Sequence, residues 1–384
     1  MKYGVNKGEY VLMKMLELKP KLYKFETFKD FAEEFNLNKK DLIITNEFLY
    51  DPFMKELNLG CFKVFQEKYG FGEPSDEMID GIFEEVKEYD FNRIIAVGGG
   101  TILDIAKLLV LKKGKNVLEL FDKKIPLIKE KELIMVPTTC GTGSEVTNIA
   151  IAEIKSRKTK MGLAIDEMYA DYAVMIPEIV KGLPYKFFVT SSIDALIHAI
   201  ESYVSPKSTV YTEMFSQKAI EIILRGYKKI VEKGEEYRKE IIEDFVIASN
   251  YAGISFGNAG VGAVHAMSYP LGGTYHIPHG EANYLMFAEV FKLYNEKNPH
   301  GKIKEINKLL GEILNVENGK SIYEDLSNLL DKLLVRKPLR EYGMKEEDIE
   351  QFSESVVKTQ QRLLNNNYVE VSLEEMKAIY RNLY

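Results

Sequence analysis

The chain contains five histidines, His198, His265, His276, His279 and His300, and three of them fall between positions 265 and 279. Imidazole ligates metals and carries protons near neutral pH, so this concentration points to chemistry. Asp194 and His198 stand four residues apart in Ser192-Ile193-Asp194-Ala195-Leu196-Ile197-His198-Ala199-Ile200-Glu201. On a helix that spacing puts both side chains on one face, a turn apart, where a carboxylate oxygen and an imidazole nitrogen reach the same ion. The same spacing also serves an ordinary surface contact. What argues against the bland reading is the company of His265 and His279, which sit beside Gly262, Pro278 and Gly280, where core packing gives no reason for a histidine. An Asp-His-His-His set with open positions suits Fe(II), Zn(II) or Mn(II) rather than a thiolate-selected metal. His300, between Pro299 and Gly301, reads as a loop histidine without a role.

A second constellation could hold phosphate. Gly98-Gly99-Gly100-Thr101 follows the apolar run Arg93-Ile94-Ile95-Ala96-Val97 and opens a segment, Ile102 to Leu109, with helical apolar spacing. Glycines there let the backbone approach an anion, and the first helical turn offers unpaired N–H groups at the positive end of its dipole. A lone triple glycine is equally a tight turn. The loop Pro137-Thr138-Thr139-Cys140-Gly141-Thr142-Gly143-Ser144-Glu145 follows another strand-like run, Leu133 to Val136, and two such loops at strand ends describe a nucleotide cleft better than either alone. Asn46 closes a third run, Asp41 to Asn46, where an acidic side chain would bind ribose hydroxyls. An amide there leaves NAD and NADP both open.

These residues need elements to position them. Up to about residue 184, β-type runs alternate with amphipathic segments, the pattern of βαβ units around a parallel sheet. Beyond Pro184, apolar residues recur at three- and four-residue spacing over Tyr185 to Ser205, Val210 to Lys233, Glu236 to Phe256 and Lys302 to Leu314, which predicts helices. Gly262 to Ala266 reads as another helix, broken by Pro270 and Gly272-Gly273. The expected organisation is an α/β dinucleotide-binding domain over 1–184 and an all-α domain over 185–384. The charge-rich stretch from Glu289 to Tyr384 offers no chemistry by itself.

Length and composition agree. At 384 residues, with 46% hydrophobic and 28% charged residues, the chain has the make-up of about two globular domains. A formal charge of -7 and no basic stripe argue against nucleic acid as a partner. Cys61 and Cys140 form no CxxC pair, which fits a reducing cytoplasm. The Met1–Glu9 segment has no apolar core, so neither a signal peptide nor a membrane span is expected.

Taken together, the motifs resemble the iron-containing, or group III, alcohol dehydrogenase family. Gly98 to Lys107 is similar to its GGGSxxDxAK element, Pro137 to Glu145 to PTTxGTGSE, Asp194 to Glu201 to DALxHAxE, and Gly262 to Gly280 to GxxHAxxxxLGxxxxxPHG. The resemblance, which spans nearly the whole chain in the right order, implies that fold and a homo-oligomer, a dimer. It implies that Asp194, His198, His265 and His279 ligate Fe(II), with Zn(II) or Mn(II) as alternatives. It further implies that Gly98, Gly99, Gly100, Thr101, Thr138, Thr139, Thr142 and Lys160 line the dinucleotide cleft, that Asp104 helps orient the cofactor, and that Asn46 stands near the ribose.

The implied activity is hydride exchange between NAD(H) and a primary alcohol or its aldehyde. The phrase from His265 to His276 looks most like the members that interconvert 4-hydroxybutyrate and succinate semialdehyde in anaerobic fermenters. Butanol, lactaldehyde and 1,3-propanediol types are the alternatives within the family, and a non-catalytic metal- and nucleotide-binding protein is the alternative outside it. This chain departs from the family in having Tyr269 where many members have a relay histidine, and in the additional His276. Both are therefore candidates for proton transfer.

Overall fold

The computed structural model describes residues 14–157, 159–316 and 322–384. The Met1–Glu9 segment discussed above lies outside them. Eight strands are present among the described residues: β1 (Lys21–Lys24), β2 (Asp41–Thr45), β3 (Phe62–Phe65), β4 (Arg93–Gly98), β5 (Glu132–Pro137), β6 (Ile149–Ile154), β7 (Thr159–Ala164) and β8 (Tyr172–Met175). Six of them form one parallel sheet in the order β1-β8-β5-β4-β2-β3, and β6 and β7 pair as a separate antiparallel hairpin.

The central strands are apolar along their length because both faces of the sheet are covered. Alternate side chains take opposite sides: Ile43, Ile95 and Ile134 join one core, while Leu42, Ile44, Ile94, Ala96, Leu133 and Met135 join the other. Since the pairing is parallel, the carboxyl ends of β2, β4 and β5 lie along one edge. Gly98 is in register with Pro137, which brings both small-residue loops to neighbouring points of that edge.

After Met175 no further strand occurs among the described residues, and the chain passes through a short helix, Pro177–Lys181, into long helices. Tyr185–Val204 packs against both Val210–Lys233 and Ile242–Ala259 in one buried apolar core.

 The last of these three helices spans Ile242–Ala259. Glu236 to Glu240, expected as the start of that helix, belongs instead to the 3-10 turn Glu235–Glu240. The helix holding His265 runs over Ala263–Tyr275, through Pro270 and both glycines that were expected to break it. A proline removes one hydrogen bond, here to the Ala266 carbonyl. Met267 and Leu271, both fully buried, tie the flanking turns to the core and offset that loss. No described helix is long and apolar enough to cross a membrane.

Candidate metal centre and dinucleotide cleft

Three helices deliver the four candidate ligands. Asp194 and His198 share a face of Tyr185–Val204, His265 lies in the first turn of Ala263–Tyr275, and His279 opens His279–Lys297. The last placement depends on Gly280, where a Cβ would come within 2.1 Å of the Thr190 carbonyl oxygen; only glycine lets the two helices approach so closely. One ligand atom from each of the four side chains lies within 4.8 Å of the other three. His198 Nδ1 is 3.8 Å from Asp194 Oδ2, while His265 Nε2 and His279 Nε2 are 3.7 and 3.8 Å from Oδ1.

Those separations are too long for hydrogen bonds. They suit atoms that share one ion at bond lengths of about 2.0–2.2 Å. His198 Nδ1 and His265 Nε2 are buried and have no hydrogen-bond partner, and each such group costs about 1–3 kcal/mol unless something bonds it. Burial holds the His198 pKa down at about 4 and that of His265 at about 3, so both rings are neutral and their lone pairs free. Burial opposes charge on Asp194 too, but His198, His279, His265 and the Asn283 amide together keep its pKa below the ordinary carboxylate value. The donor set therefore fits a divalent cation.

A further layer orients the ligands. Glu201 is hydrogen-bonded to His265 Nδ1 and accepts the N–H groups of Gly262 and Val264 at 3.1 and 2.9 Å. Burial raises the Glu201 pKa to about 8, against the pull of those two amides. Asn283 donates to Asp194 Oδ1 at 2.7 Å and lies 3.2 Å from His279 Nε2. Phe256 stacks on the His198 ring, with centroids 4.2 Å apart. Sequence reasoning gave no role to Glu201, Asn283 or Phe256. Glu201 had a signal, three and seven residues after His198 and Asp194 on the same helix, whereas the other two could be found only from the packing.

The four ligand residues line a cavity of about 300 Å³ whose opposite wall includes Gly100, Thr101, Asp104, Thr142 and Lys160. Gly99 is the N-cap of Gly100–Leu109 and has no side chain to satisfy the Gly100 and Thr101 amides, which leaves those two open to an anion. Gly98, Thr138 and Thr139 stand behind this wall: the Thr138 amide donates to the Gly98 carbonyl at 3.0 Å, and a Cβ on Gly99 would meet Thr139 Cγ2 at 3.5 Å. Asp104 has a structural task as well, accepting from Ser144 Oγ at 2.6 Å and from the Ile151 amide at 3.0 Å. Lys160 is paired with Glu73 at 2.5 Å.

Asn46 lies at the end of β2, outside the cavity wall, and its amide donates to Glu67 at 2.8 Å. Glu67 follows β3 on the same sheet edge, so a carboxylate stands beside the position where the sequence offers only an amide. Of the two relay candidates, Tyr269 lines the cavity, its ring 6.0 Å from that of His279. His276 does not reach it: this residue ends its helix in the left-handed conformation, φ 54°, with its side chain exposed. A larger hollow of about 820 Å³ near His300 and Lys304 has no cluster of metal-ligating side chains among the described residues.

Comparison with known proteins accords with this geometry. A family model described as Iron-containing alcohol dehydrogenase matches residues 21–177, and one described as Fe-containing alcohol dehydrogenase family, C-terminal, matches residues 188–384. The chain is 63% identical over 372 residues to 4-hydroxybutyrate dehydrogenase of Clostridium kluyveri, covering 97% of this chain and 100% of that protein. It is 33% identical over 298 residues to long-chain-alcohol dehydrogenase 1 of Geobacillus thermodenitrificans, covering 76% and 74%. Among solved structures, sulfoacetaldehyde reductase from Bifidobacterium kashiwanohense in complex with NAD+ has a TM-score of 0.84 at 21% identity, covering 97% of this chain and 99% of that one, a likeness of fold.

Proposed function

The chain belongs to the iron-containing alcohol dehydrogenase family, and from that premise we propose that it interconverts 4-hydroxybutyrate and succinate semialdehyde with NAD(H). The reading includes one divalent ion, Fe(II) before Zn(II) or Mn(II), held by Asp194, His198, His265 and His279. The observation that carries it is the shared cavity, in which these four side chains face the uncapped turn at Gly100 and Thr101. The substrate is chosen from the Clostridium kluyveri relative, whose likeness extends over the full length of both chains.

When bound, the metal would supply Lewis acidity and the nicotinamide would supply or accept a hydride. The chain's own part is to bind and orient. Glu201, hydrogen-bonded on the Nδ1 side of His265, fixes the ring's orientation and so turns Nε2 toward the site. Tyr269, whose pKa burial raises to about 12, keeps its Oη proton at neutral pH and can donate to an oxygen in the cavity. The backbone from Gly98 to Thr101, with Thr138, Thr139 and Thr142, receives the pyrophosphate. Glu67, held by Asn46, supplies the negative charge that binds ribose hydroxyls and repels a 2′-phosphate, which favours NAD over NADP. The reading also takes residues 1–184 as the cofactor domain and 185–384 as the metal and substrate domain, in a cytoplasmic homodimer.

A panel of succinate semialdehyde, butanal, lactaldehyde and glyceraldehyde, followed by NADH and NADPH absorbance on Fe(II)-loaded enzyme, tests the proposal. The highest kcat/KM is expected for succinate semialdehyde with NADH. A higher value for butanal or lactaldehyde would replace the substrate, and NADH binding without turnover of any member would leave a non-catalytic binding protein.

A further inference from the structure

Two cationic side chains line the cavity, Lys160 and Arg362. Lys160 is neutralised by Glu73 at 2.5 Å. Arg362 has no hydrogen-bond or ion-pair partner among the described residues. It is exposed, whereas Asp194, His198 and His265 are buried, so the cavity runs from a cationic rim to the ligand cluster at its floor. Its charge is close enough to act on both His265 and Tyr269.

The backbone that carries Arg362 is fixed to the backbone that carries His265. Arg362 lies in the short helix Gln361–Leu364, and Leu363 beside it is buried. Two residues past that helix, Asn366 donates to the carbonyls of Ala259 and Val261 at 2.9 and 3.1 Å. Asn367 accepts the Ala263 amide at 3.0 Å and is hydrogen-bonded to Tyr294. Residues 259–263 lead directly into the His265 turn, so the guanidinium and the metal ligand are referenced to one frame.

We infer that Arg362 is the specificity-determining residue that binds the carboxylate at the far end of the substrate. The inference rests on the 4-hydroxybutyrate reading and goes beyond it by naming the residue that recognises the acid. In a four-carbon ω-oxo acid, three C–C bonds separate the carboxyl carbon from the reacting carbon, a span of roughly 4 Å. A substrate reacting at the floor therefore projects its anionic end toward the rim. A planar guanidinium with all its donors free matches a carboxylate in a bidentate arrangement, and a rim cation with no partner selects an anion over an uncharged aldehyde of the same length.

The test compares succinate semialdehyde with butanal on wild type, Arg362→Gln and Arg362→Lys, alongside calorimetric affinities for 4-hydroxybutyrate and NADH. The expected result is a wild-type preference for succinate semialdehyde that falls about 10- to 100-fold in Arg362→Gln, through KM rather than kcat, with partial recovery in Arg362→Lys. 4-Hydroxybutyrate affinity should fall in parallel and NADH affinity should hold. A wild type without that preference overturns the substrate reading and this inference with it. A wild type with the preference, and an Arg362→Gln variant that keeps it, overturns the inference alone. Loss of NADH affinity in Arg362→Gln with an unchanged substrate ratio also overturns it, assigning the cation to the cofactor.

Discussion

Glu201 and His265 are joined by a buried hydrogen bond from the Nδ1 side of the ring, which leaves Nε2 facing Asp194 at 3.7 Å. One carboxyl group thus sets the direction of a candidate ligand. Glu201→Gln should lower Fe(II) affinity about 10- to 100-fold, with unchanged circular dichroism. Competition against a chelator measures it, and wild-type affinity in the variant would assign Glu201 to packing alone.

The glycine loop separates folding from binding. A Cβ on Gly99 meets nothing closer than Thr139 Cγ2 at 3.5 Å, and its φ of -77° suits any residue. Gly99→Val should therefore fold normally and yet bind NADH at least about tenfold more weakly, roughly 1.4 kcal/mol, because a side chain stands where the pyrophosphate must approach. A fluorescence titration reads this directly; unchanged affinity in the folded variant counts against the loop as the cradle.

The two halves meet through paired glycines. Gly143 has φ 55°, and a Cβ on Gly253 would lie 2.7 Å from its Cα and 2.9 Å from its carbonyl oxygen. Gly253→Ala should cost about 1–3 kcal/mol by overpacking, visible as a lower urea midpoint. An unchanged midpoint would mean that the loop and the helix separate without loss.

Lys107 is fully buried and donates to Ser144 Oγ, Thr147 Oγ1 and the Ile149 carbonyl at 2.6, 3.0 and 2.7 Å. It fastens the second loop to the helix that follows the first. Lys107→Met leaves those acceptors and Asp104 without their cation and should destabilise the fold by about 3–5 kcal/mol. Denaturant unfolding of the variant at wild-type stability would show that the loop is held by other contacts.

The candidate metal centre was legible in the sequence to the extent that its residues carry their own chemistry. The spacing of Asp194 and His198, and the glycine and proline beside His265 and His279, point to the constellation that the helices assemble. The central strands were legible because β2, β4 and β5 are buried on both faces and read as apolar runs. The four-residue β1 lies at the sheet edge with every residue exposed, and β6 and β7 form a hairpin, so neither carries such a signal. Glu67, Asn283 and Arg362 stand beside neighbours distant in sequence. Arg362 lies in a charge-rich stretch that looks like solvated surface until Asn366 and Asn367 are seen to hold it against the His265 turn. His276 shows the converse: its residue type suggests chemistry, while its left-handed backbone closes a helix on the outer surface.

The most direct test of the central claim is the iron content of wild type and Asp194→Asn after anaerobic reconstitution with Fe(II). All three imidazoles face the Asp194 carboxylate, and the amide keeps its shape while removing its charge. Close to one ion per chain is expected in wild type and almost none in the variant, with circular dichroism and NADH affinity retained. Full iron occupancy in Asp194→Asn would contradict the assignment of the metal centre.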